Sequence, residues 1–359
     1  MNRPRFSPTP PASPSRALSG WRARLASDPI PRLLREGPPS VLARIRRDLI
    51  DDSEAPTLDE IWTYPDVKAL VKKVGKNGVF PATASDKALG STRFAGTLAT
   101  LRGLDRLCDL GVRAEGELGA PPPVLDKIVD ALLASQEADG GIADLALAET
   151  PKGRAKTVAL HFQGWAISAL CRAGYENDPR VEKGLQYLLE RRQDDGGWAW
   201  RGVRTDSAAR PSSHLVTGMV LRAFASAASR RTTREARRAA ELLATRFLQP
   251  DRYPDRKAPS FWEILTEPRM YTDVLDALDT VTAIGLGKEN SGVRTAEAYL
   301  RSRQSGDGLW YPGPPPEKGA SFSAVGSNAG KGKGSKDAKE TEAAIWLTLR
   351  VLVVLRRIN

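Results

Sequence analysis

One short pattern recurs along the chain at a nearly constant spacing. It occurs as SQEADGGI (135–142), RQDDGGWAW (192–200), FLQPDRYPD (247–255) and RQSGDGLWYPG (303–313), and its glutamines are 57, 56 and 55 residues apart. A weaker copy, KVGKNGVF (73–80), lies upstream and lacks the glutamine. Self-similarity at a fixed period indicates one supersecondary unit used several times. We therefore expect the chain to fold as an array of such units.

Each unit has the pattern of two helices joined by a turn. An amphipathic helix precedes the glutamine, and a more apolar helix, rich in small residues, follows the Asp/Gly turn. The first helices are predicted at 65–74, 123–136, 180–193, 233–248 and 291–304. The second helices are predicted at 92–110, 157–173, 213–228, 272–285 and 340–356. No β-branched alternation bounded by hairpin turns is present, so the prediction is an all-α fold with two concentric layers of helices.

The recurring turn has a structural explanation of its own. Glycine after the last helical turn supplies a left-handed C-cap, and the following aromatic residue can pack back on the helix end. The glutamine is expected to satisfy backbone groups left unbonded at that end. We therefore interpret the repeat residues as structural: Gln136, Gln193, Gln304, Trp198 and Trp310.

Composition narrows the function classes only in part. The 359 residues carry 54 Lys+Arg against 43 Asp+Glu, a net charge of +11, which permits anionic partners without choosing among them. Two cysteines, Cys108 and Cys171, rule out a disulfide framework, and two histidines exclude multi-histidine metal sites. No apolar run approaches the length of about 20 residues that a membrane span needs.

Two segments differ from the repeats in composition. Residues 1–27 are rich in Pro, Ser and Arg and lack acids; we predict a disordered basic tail, although the composition has some likeness to a transit peptide. Residues 28–359 are predicted as a single domain. Within it the low-complexity stretch 311–339 is predicted as a flexible loop, whose lysines could meet phosphate or remain solvated.

The repeats resemble those of a known superfamily. KGLQYLLERRQDDGGWAW (183–200), AEAYLRSRQSGDGLW (296–310) and IVDALLASQEADGGI (128–142) resemble the Gln-Trp repeat of squalene–hopene cyclases and other terpenoid cyclases. The same repeat occurs in the β subunits of protein prenyltransferases, and residues 28–52 resemble the opening of small bacterial prenyltransferase/squalene-oxidase-repeat proteins. The resemblance implies an α/α toroid of about five to six helical hairpins around a central cavity suited to isoprenoids.

The chain departs from both families at their catalytic groups. Class II cyclases protonate an alkene or epoxide with the middle Asp of Asp-x-Asp-Asp, a motif that these 359 residues do not contain. Protein prenyltransferases bind zinc through Asp, Cys and His, but neither Cys108 nor Cys171 lies in the Asp-x-Cys setting, and His161 and His214 lie on other repeats. We expect no cofactor: zinc is not expected, and Mg²⁺ is left open.

The starts of the apolar helices are the candidate site. If these helices run parallel, their positive N-terminal ends gather at one rim, where a diphosphate or carboxylate could bind. Asp273 and Asp276 are candidate catalytic acids, because carboxylates three residues apart on a helix could share a proton or bind Mg²⁺. His161 is a candidate general base or donor. The alternatives are a helix-start Asp stabilised by the helix dipole and a structural histidine.

Aromatic residues on or near these helices could contact a substrate. Their faces could stabilise carbocations by cation–π contact, or the rings could simply fill the core. The candidate substrate-binding residues are Phe162, Trp165, Trp262, Tyr271 and Trp346, together with Arg93.

Two functions remain open from the sequence. The first is a terpenoid cyclase- or prenyltransferase-like enzyme acting on a polyprenyl or prenyl diphosphate substrate in a central aromatic cavity. The alternative is a non-catalytic isoprenoid-binding or protein-interaction toroid, which the missing acid motif and zinc ligands favour. We expect a hydrophobic isoprenoid-type partner and no nucleic acid. A cytoplasmic location is expected, with peripheral membrane contact and oligomeric state left open.

Overall fold

The computed structural model describes residues 20–50, 56–114, 123–143, 159–199, 211–251, 260–263, 272–313 and 333–359. The predicted tail therefore falls mostly outside the described residues, as does 314–332 of the predicted loop. The described part contains a 3₁₀ helix (Gly20–Arg24), a π-helical segment (Cys171–Tyr175) and fifteen α-helices. These are α1 (Ile30–Glu36), α2 (Pro39–Asp48), α3 (Leu58–Ile61), α4 (Pro65–Val71), α5 (Ala84–Asp109), α6 (Pro123–Leu133), α7 (Leu160–Leu170), α8 (Pro179–Leu189), α9 (His214–Ser226), α10 (Ala228–Arg231), α11 (Arg234–Ala244), α12 (Ser260–Glu263), α13 (Val274–Ala283), α14 (Ser291–Ser302) and α15 (Lys333–Ile358).

The predicted all-α architecture is confirmed. In the described residues the only β-type pairing is an isolated bridge between Gln136 and Ile142. The first helix of each unit is α4, α6, α8, α11 or α14, and the second is α5, α7, α9, α13 or α15. Every residue of α9 except Ser226 is buried, whereas α11 buries only a stripe of four alanines and one leucine. The apolar helices therefore form the inner layer and the amphipathic helices the outer one.

Several helix boundaries differ from the predictions. The outer helices α6 and α8 end before their glutamines, at Leu133 and Leu189, because the chain tightens into the turn first. The inner helices α5 and α15 begin earlier than predicted, at Ala84 and Lys333. Residues 333–339 of the predicted flexible loop are thus helical.

The inner helices pack side by side in chain order and close into a ring. Gly164 of α7 lies against Met219 of α9, and Ser168 lies 3.0 Å from Ser226, so these neighbours run parallel. Further contacts join α5 to α7, α9 to α13 and α13 to α15. The last inner helix then meets the first, since the Arg106 guanidinium of α5 lies 4.2 Å from the ring centre of Trp346 on α15. The arrangement is the α/α toroid that the resemblance implied.

The turn residues hold each unit together and join it to the next. The indoles of Trp198 and Trp310 donate to Leu188 O (2.7 Å) and Leu300 O (2.6 Å) at the ends of their own outer helices, as predicted. The glutamine differs from the prediction. Gln136 Nε2 donates to Gly140 O (3.0 Å) in its own turn and to Arg180 O (2.8 Å) at the start of the next outer helix, so it links neighbouring units.

Near the end of four repeat turns, one backbone N–H donates a hydrogen bond to the inner helix of the same unit. The backbone N–H groups of Phe80, Ile142, Trp198 and Trp310 donate to inner-helix side chains at 2.9–3.1 Å; the acceptors are Thr100 Oγ1, Gln163 Oε1, Thr217 Oγ1 and Thr348 Oγ1. A buried backbone N–H without an acceptor is costly. The same polar position on four inner helices therefore fixes the register between the two layers.

The N-terminal segment closes the ring by taking the place of a following unit. Gln304 Nε2 donates to Ser27 O (2.7 Å) and to Gly308 O (2.9 Å), while its Oε1 accepts from Ala26 N (2.8 Å). Asp28 Oδ1 accepts from Ile30 N at the start of α1, just as Asp178 Oδ1 accepts from Arg180 N at the start of α8, and each Asp is followed by proline. The segment that begins α1 thus contacts the last repeat turn, much as α8 contacts the turn at Gln136.

A surface ion pair reinforces this closure. Asp307, in the last turn, accepts from Arg32 of α1 at 2.7 Å. Although desolvation opposes it, hydrogen bonds from Tyr311, Arg32 and the backbone of Leu309 lower the pKa of Asp307 to about 2. The carboxylate is therefore ionised and available to α1 at neutral pH.

None of the helices in the described part of the chain combines the length and apolar character that a membrane span requires.

Substitution of Gln304 by alanine tests the closure. Gln304→Ala removes two hydrogen bonds between the last turn and the N-terminal segment and one within the turn, and we expect it to lower the free energy of unfolding by about 1–2 kcal/mol. The matched control is Gln186→Ala, which removes only an exposed contact with Glu190 and should cost less than about 0.5 kcal/mol. Urea denaturation measures both, and equal losses would contradict the closure.

Candidate functional site

Asp273 lies at the start of inner helix α13 and serves as its N-cap. Its Oδ1 accepts the backbone N–H of Asp276 at 2.9 Å, and the residue is 1% exposed. Thr272, just before it, donates its hydroxyl to Leu215 O at 2.8 Å and so ties this helix start to α9. Thr-Asp before an apolar helix is a standard N-terminal signal, because the carboxylate satisfies a backbone donor that the helix leaves unbonded. The geometry matches the structural alternative stated for Asp273.

Asp276 lies between two arginines from neighbouring inner helices. Arg222 of α9 donates to Asp276 Oδ2, and Arg350 Nη2 of α15 donates to Oδ1 at 3.0 Å. The three residues are 2–7% exposed, so the ion-pair cluster lies within the inner layer. A buried carboxylate requires such partners, since an isolated buried charge is strongly unfavourable. Both carboxylate oxygens of Asp276 are therefore already engaged.

The third aspartate of the series does not join the first two. Asp279 accepts from Arg357 Nη1 at 2.8 Å, and its side chain is 24% exposed. Among the described residues no group of three or more His, Cys, Asp or Glu side chains is placed to hold a metal ion. Of the three aspartates, Asp273 is thus a helix cap, Asp276 belongs to a buried ion pair and Asp279 to a surface ion pair.

The two arginines of this cluster were missed by the sequence interpretation, although a signal was present. Arg222 interrupts the apolar run LVTGMVLRAFA, and Arg350 interrupts IWLTLRVLVVL. A cation inside such a run can be buried only with an anion beside it. An acid on a neighbouring inner helix, here Asp276, is therefore the partner to search for.

His161, Phe162 and Trp165 form an aromatic group at the start of α7. The His161 and Phe162 ring centres are 4.1 Å apart, and Phe162 lies 6.5 Å from Trp165. His161 and Trp165 are buried, whereas Phe162 is partly exposed. The Trp165 Nε1 atom has no hydrogen-bond partner in the described part of the chain. Three predicted site residues are therefore adjacent, and one of them can reach a ligand.

Trp262 lies in a separate cluster around His214. The two rings stack with centres 4.2 Å apart, and the Trp262 indole donates to Gln249 O at 2.6 Å. His214 Nδ1 lies 3.4 Å from Asp251 Oδ2, which also accepts from the Ser213 hydroxyl at 2.7 Å. Trp262 thus anchors the repeat turn at Gln249, much as Trp198 anchors the turn at Gln193.

Of the remaining candidates, Trp346 is the one whose side chain the structure describes, and it lies apart from both aromatic groups. Trp346 is buried on α15 beneath the guanidinium of Arg106. Arg93 lies on α5, but its side chain is outside the described residues, as is the whole of Tyr271. The described substrate-binding candidates accordingly lie on three helices: Phe162 and Trp165 on α7, Trp262 on α12 and Trp346 on α15.

The two cysteines lie in environments that disfavour thiolates. Burial raises the pKa of Cys108 and of Cys171 to about 12. Cys108 Sγ donates to Ala169 O at 3.6 Å. Nucleophilic attack requires the thiolate, so these environments disfavour such chemistry at either cysteine. Zinc is not expected from the sequence. That expectation stays a prediction.

One family model matches part of the chain. Residues 90–206, about a third of the sequence, match the squalene-hopene cyclase C-terminal domain. This stretch contains the turns at Gln136 and Gln193, two of the copies on which the resemblance was based. The match confirms the recognition of the terpenoid cyclase superfamily. No curated protein sequence matches the chain.

Several solved structures are similar to the chain at low sequence identity and low TM-score. A protein from Actinoplanes is 17% identical with a TM-score of 0.43, over 89% of this chain and 98% of that one. The type II terpene cyclase MstE from Scytonema, in complex with its substrate geranylgeranyl dihydroxybenzoate, is 11% identical with a TM-score of 0.32, over 84% of this chain and 97% of that one. MstE without ligand is 13% identical with a TM-score of 0.29, over 83% and 97%. Such likenesses do not bear on ligand, reaction or site residues.

Asp276→Asn separates a structural from a catalytic role for this aspartate. Loss of the charge leaves two buried arginines without their anion, and we expect the free energy of unfolding to fall by about 3–5 kcal/mol. Asp279→Asn, on the same helix but at the surface, should cost less than about 1 kcal/mol. Thermal and urea denaturation measure both variants.

An apolar replacement of the whole cluster provides the converse test. Arg222→Met, Asp276→Leu and Arg350→Met together remove every charge of the cluster, and the stability should return to within about 1 kcal/mol of the wild type. An Asp276→Asn variant that keeps full stability would contradict the structural role.

Proposed function

We propose that this terpene cyclase-like toroid binds an isoprenoid-type ligand and does not initiate its cyclisation with a carboxylic acid. The observation that carries the proposal is the pairing of Asp276 with Arg222 and Arg350. A carboxylic acid that protonates an alkene must present an oxygen to it. Both oxygens of Asp276 instead accept hydrogen bonds from guanidinium groups.

Asp273 is equally engaged in the structure. Its Oδ1 holds the first turn of α13 through Asp276 N, and with 1% exposure the residue has little surface to offer a ligand. Removing it from this role would leave a buried backbone donor unsatisfied. The two acids that the sequence offered for proton transfer are thus better explained by packing and capping.

The class of ligand is supported by the aromatic group of α7. Phe162 is partly exposed, and its ring lies between those of His161 and Trp165 in sequence and close to both in space. Aromatic faces pack well against an unsaturated hydrocarbon chain, which gains hydrophobic contact without needing a polar partner. The family match to a squalene-hopene cyclase domain favours the same class of ligand.

A catalytic protein is the second candidate, and His161 favours it. Its ring lies 4.1 Å from that of Phe162, so an ionisable group adjoins the aromatic surface that would contact the ligand. In that case His161 would exchange a proton with the bound isoprenoid.

Ligand titrations with product analysis test the proposal. We expect geranylgeranyl diphosphate, farnesyl diphosphate and squalene to quench tryptophan fluorescence with saturation, and gas chromatography–mass spectrometry to detect no cyclic product. Phe162→Ala should weaken squalene binding about tenfold, or about 1.4 kcal/mol. Tyr64→Ala, which removes a partly buried aromatic residue outside the α7 group, serves as the matched control.

The two candidates give opposite results. A cyclic product that forms with the wild type and is lost in His161→Gln would overturn the non-catalytic proposal in favour of the enzyme. Absence of saturable quenching by all three ligands would overturn the isoprenoid assignment itself.

A further inference from the structure

Four exposed lysines lie close together on the outer surface of the first unit. We call them the lysine strip: Lys68, Lys72, Lys73 and Lys76. None of the four forms an ion pair with a residue that the structure describes. The stretch that carries them, residues 67–85, contains no acidic residue. The strip is therefore a local concentration of positive charge.

The backbone of α4 holds the lysines on its outward side. Val67 is fully buried and marks the side of the helix that packs on the core. Lys68 and Lys72 are four residues apart, and Lys72 keeps helical backbone angles as the C-cap, so their side chains lie on the same face. Lys73 follows directly, and Lys76 lies in the first repeat turn. The strip thus runs along α4 and on into the turn.

The first repeat turn lacks an acid that three other turns carry. Asp139, Asp195 and Asp307 each accept the backbone N–H two residues further on, at 3.0–3.1 Å. Each also pairs with an arginine from another segment: Arg191 (2.8 Å), Arg246 (3.6 Å) and Arg32 (2.7 Å), respectively. Asn77 takes the equivalent position in the first turn, where its Oδ1 accepts from Val79 N at 3.2 Å. The amide keeps the turn hydrogen bond but supplies no negative charge beside the lysines.

Nearby carboxylates are engaged with other residues. Asp66, at the start of α4, accepts from the Ser40 hydroxyl at 2.8 Å. Glu342 of α15 lies 3.6 Å from the guanidinium of Arg106. Neither carboxylate forms an ion pair with the strip, so the four lysines keep their charge for a partner outside the chain.

Apolar surface adjoins the lysines. Leu70, Val71 and Val74 are partly exposed, although they also pack against the core. Leu70 and Lys73 line a cavity of about 530 Å³ where α4, α5 and α15 meet. The surface of the first unit therefore combines clustered positive charge with partly exposed hydrocarbon.

We propose that the lysine strip docks the protein on a membrane surface that carries anionic phospholipids. Such a surface attracts clusters of about four to eight basic residues. Each lysine close to it contributes about fivefold in affinity. The docking goes beyond the proposed function and does not depend on the isoprenoid ligand.

The residue type favours lipid head groups over nucleic acid. The chain contains 38 arginines and 16 lysines, yet the strip consists of lysine alone. A lysine ammonium is a compact charge on a flexible stem, whereas the guanidinium fork suits bidentate bonds with bases and phosphates. The partly exposed apolar side chains favour the same partner, because hydrocarbon lies directly beneath the head groups of a bilayer.

Vesicle co-sedimentation with the full chain tests the docking. We expect the protein to sediment with vesicles of equal parts phosphatidylcholine and phosphatidylglycerol, and to stay in solution with vesicles of phosphatidylcholine alone. Binding to the anionic vesicles should fall as salt rises from about 50 to about 500 mM, because ionic screening weakens the attraction.

Removal of the four charges locates the docking surface. Lys68→Gln, Lys72→Gln, Lys73→Gln and Lys76→Gln together should weaken binding to anionic vesicles at least about a hundredfold. The matched control removes four exposed cations that also lack an ion pair with a described residue: Lys183→Gln, Arg234→Gln, Lys288→Gln and Arg303→Gln. The control should weaken binding less than about threefold, and circular dichroism confirms that both variants are folded.

A single added charge tests the first turn with the least disturbance of the fold. Asn77→Asp introduces the acid found in three other turns and preserves the turn hydrogen bond, so binding should weaken about three- to fivefold. The matched control is Asn290→Asp, which adds the same charge on α14 and keeps the cap bond from Val293 N. It should change the affinity less than about twofold.

Three outcomes would overturn the docking. The first is equal binding to vesicles with and without phosphatidylglycerol. The second is an equal loss of affinity in the strip variant and its four-cation control. The third is binding to double-stranded DNA that is tighter than binding to anionic vesicles at the same phosphate concentration, which would assign the strip to nucleic acid instead.

Discussion

The fold depends on a hydrogen bond between layers that is repeated in four units. In each of these four units, a buried backbone N–H at the end of the repeat turn donates to one polar side chain on the inner helix. The four acceptors are Thr100, Gln163, Thr217 and Thr348. An unsatisfied buried N–H costs about 1–3 kcal/mol, so an inner helix cannot slide or rotate against its outer helix without losing that energy. Two glutamines add links beyond the unit. Gln136 joins its unit to the next one through Arg180 O, and Gln304 joins the last unit to the N-terminal segment through Ser27 O.

The same constraint determines where ligands can reach the protein. The first turns of α9 and α13 are buried, whereas Phe162 in the first turn of α7 is partly exposed. Asp273 caps its helix, and Asp276 is neutralised by arginines from the helices on either side. Among the described residues, α5 and α15 extend well before the register of the interlayer hydrogen bonds, and a cavity lies where these two helices meet. Phe162 is thus the predicted site residue that a ligand can reach, whereas Asp273 and Asp276 are occupied within the fold.

Much of the architecture was predictable because it follows from periodicity. The spacing of the glutamines gave the number of units, the alternation of amphipathic and apolar helices gave the layers, and Gly-Gly-Trp gave the indole contact with the helix end. The partner of each glutamine was not predictable, since Arg180 and Ser27 are chosen by tertiary packing and lie 44 and 277 residues away.

The candidate site was less predictable than the fold. An Asp at a helix start gives the same sequence signal whether it caps the helix or acts as a catalytic acid. For Asp273, only the hydrogen bond from Asp276 N distinguishes the two roles. Arg222 and Arg350 were overlooked because each was considered as part of an apolar run, although a single charge in such a run requires a buried partner. The early starts of α5 and α15 lie in segments whose Gly and Ser content argues against helix, and they become visible only in the three-dimensional structure.

Amide hydrogen exchange is the most direct test of the closed ring. The N–H of Ala26 is held by Gln304, that of Ile30 by Asp28 and that of Trp310 by Thr348. If the N-terminal segment completes the ring, these amides should show protection close to that of the inner helices α7 and α9, because they open with the same cooperative unit. Exchange of residues 26–36 at nearly unprotected rates, with α7 and α9 still protected, would contradict the account.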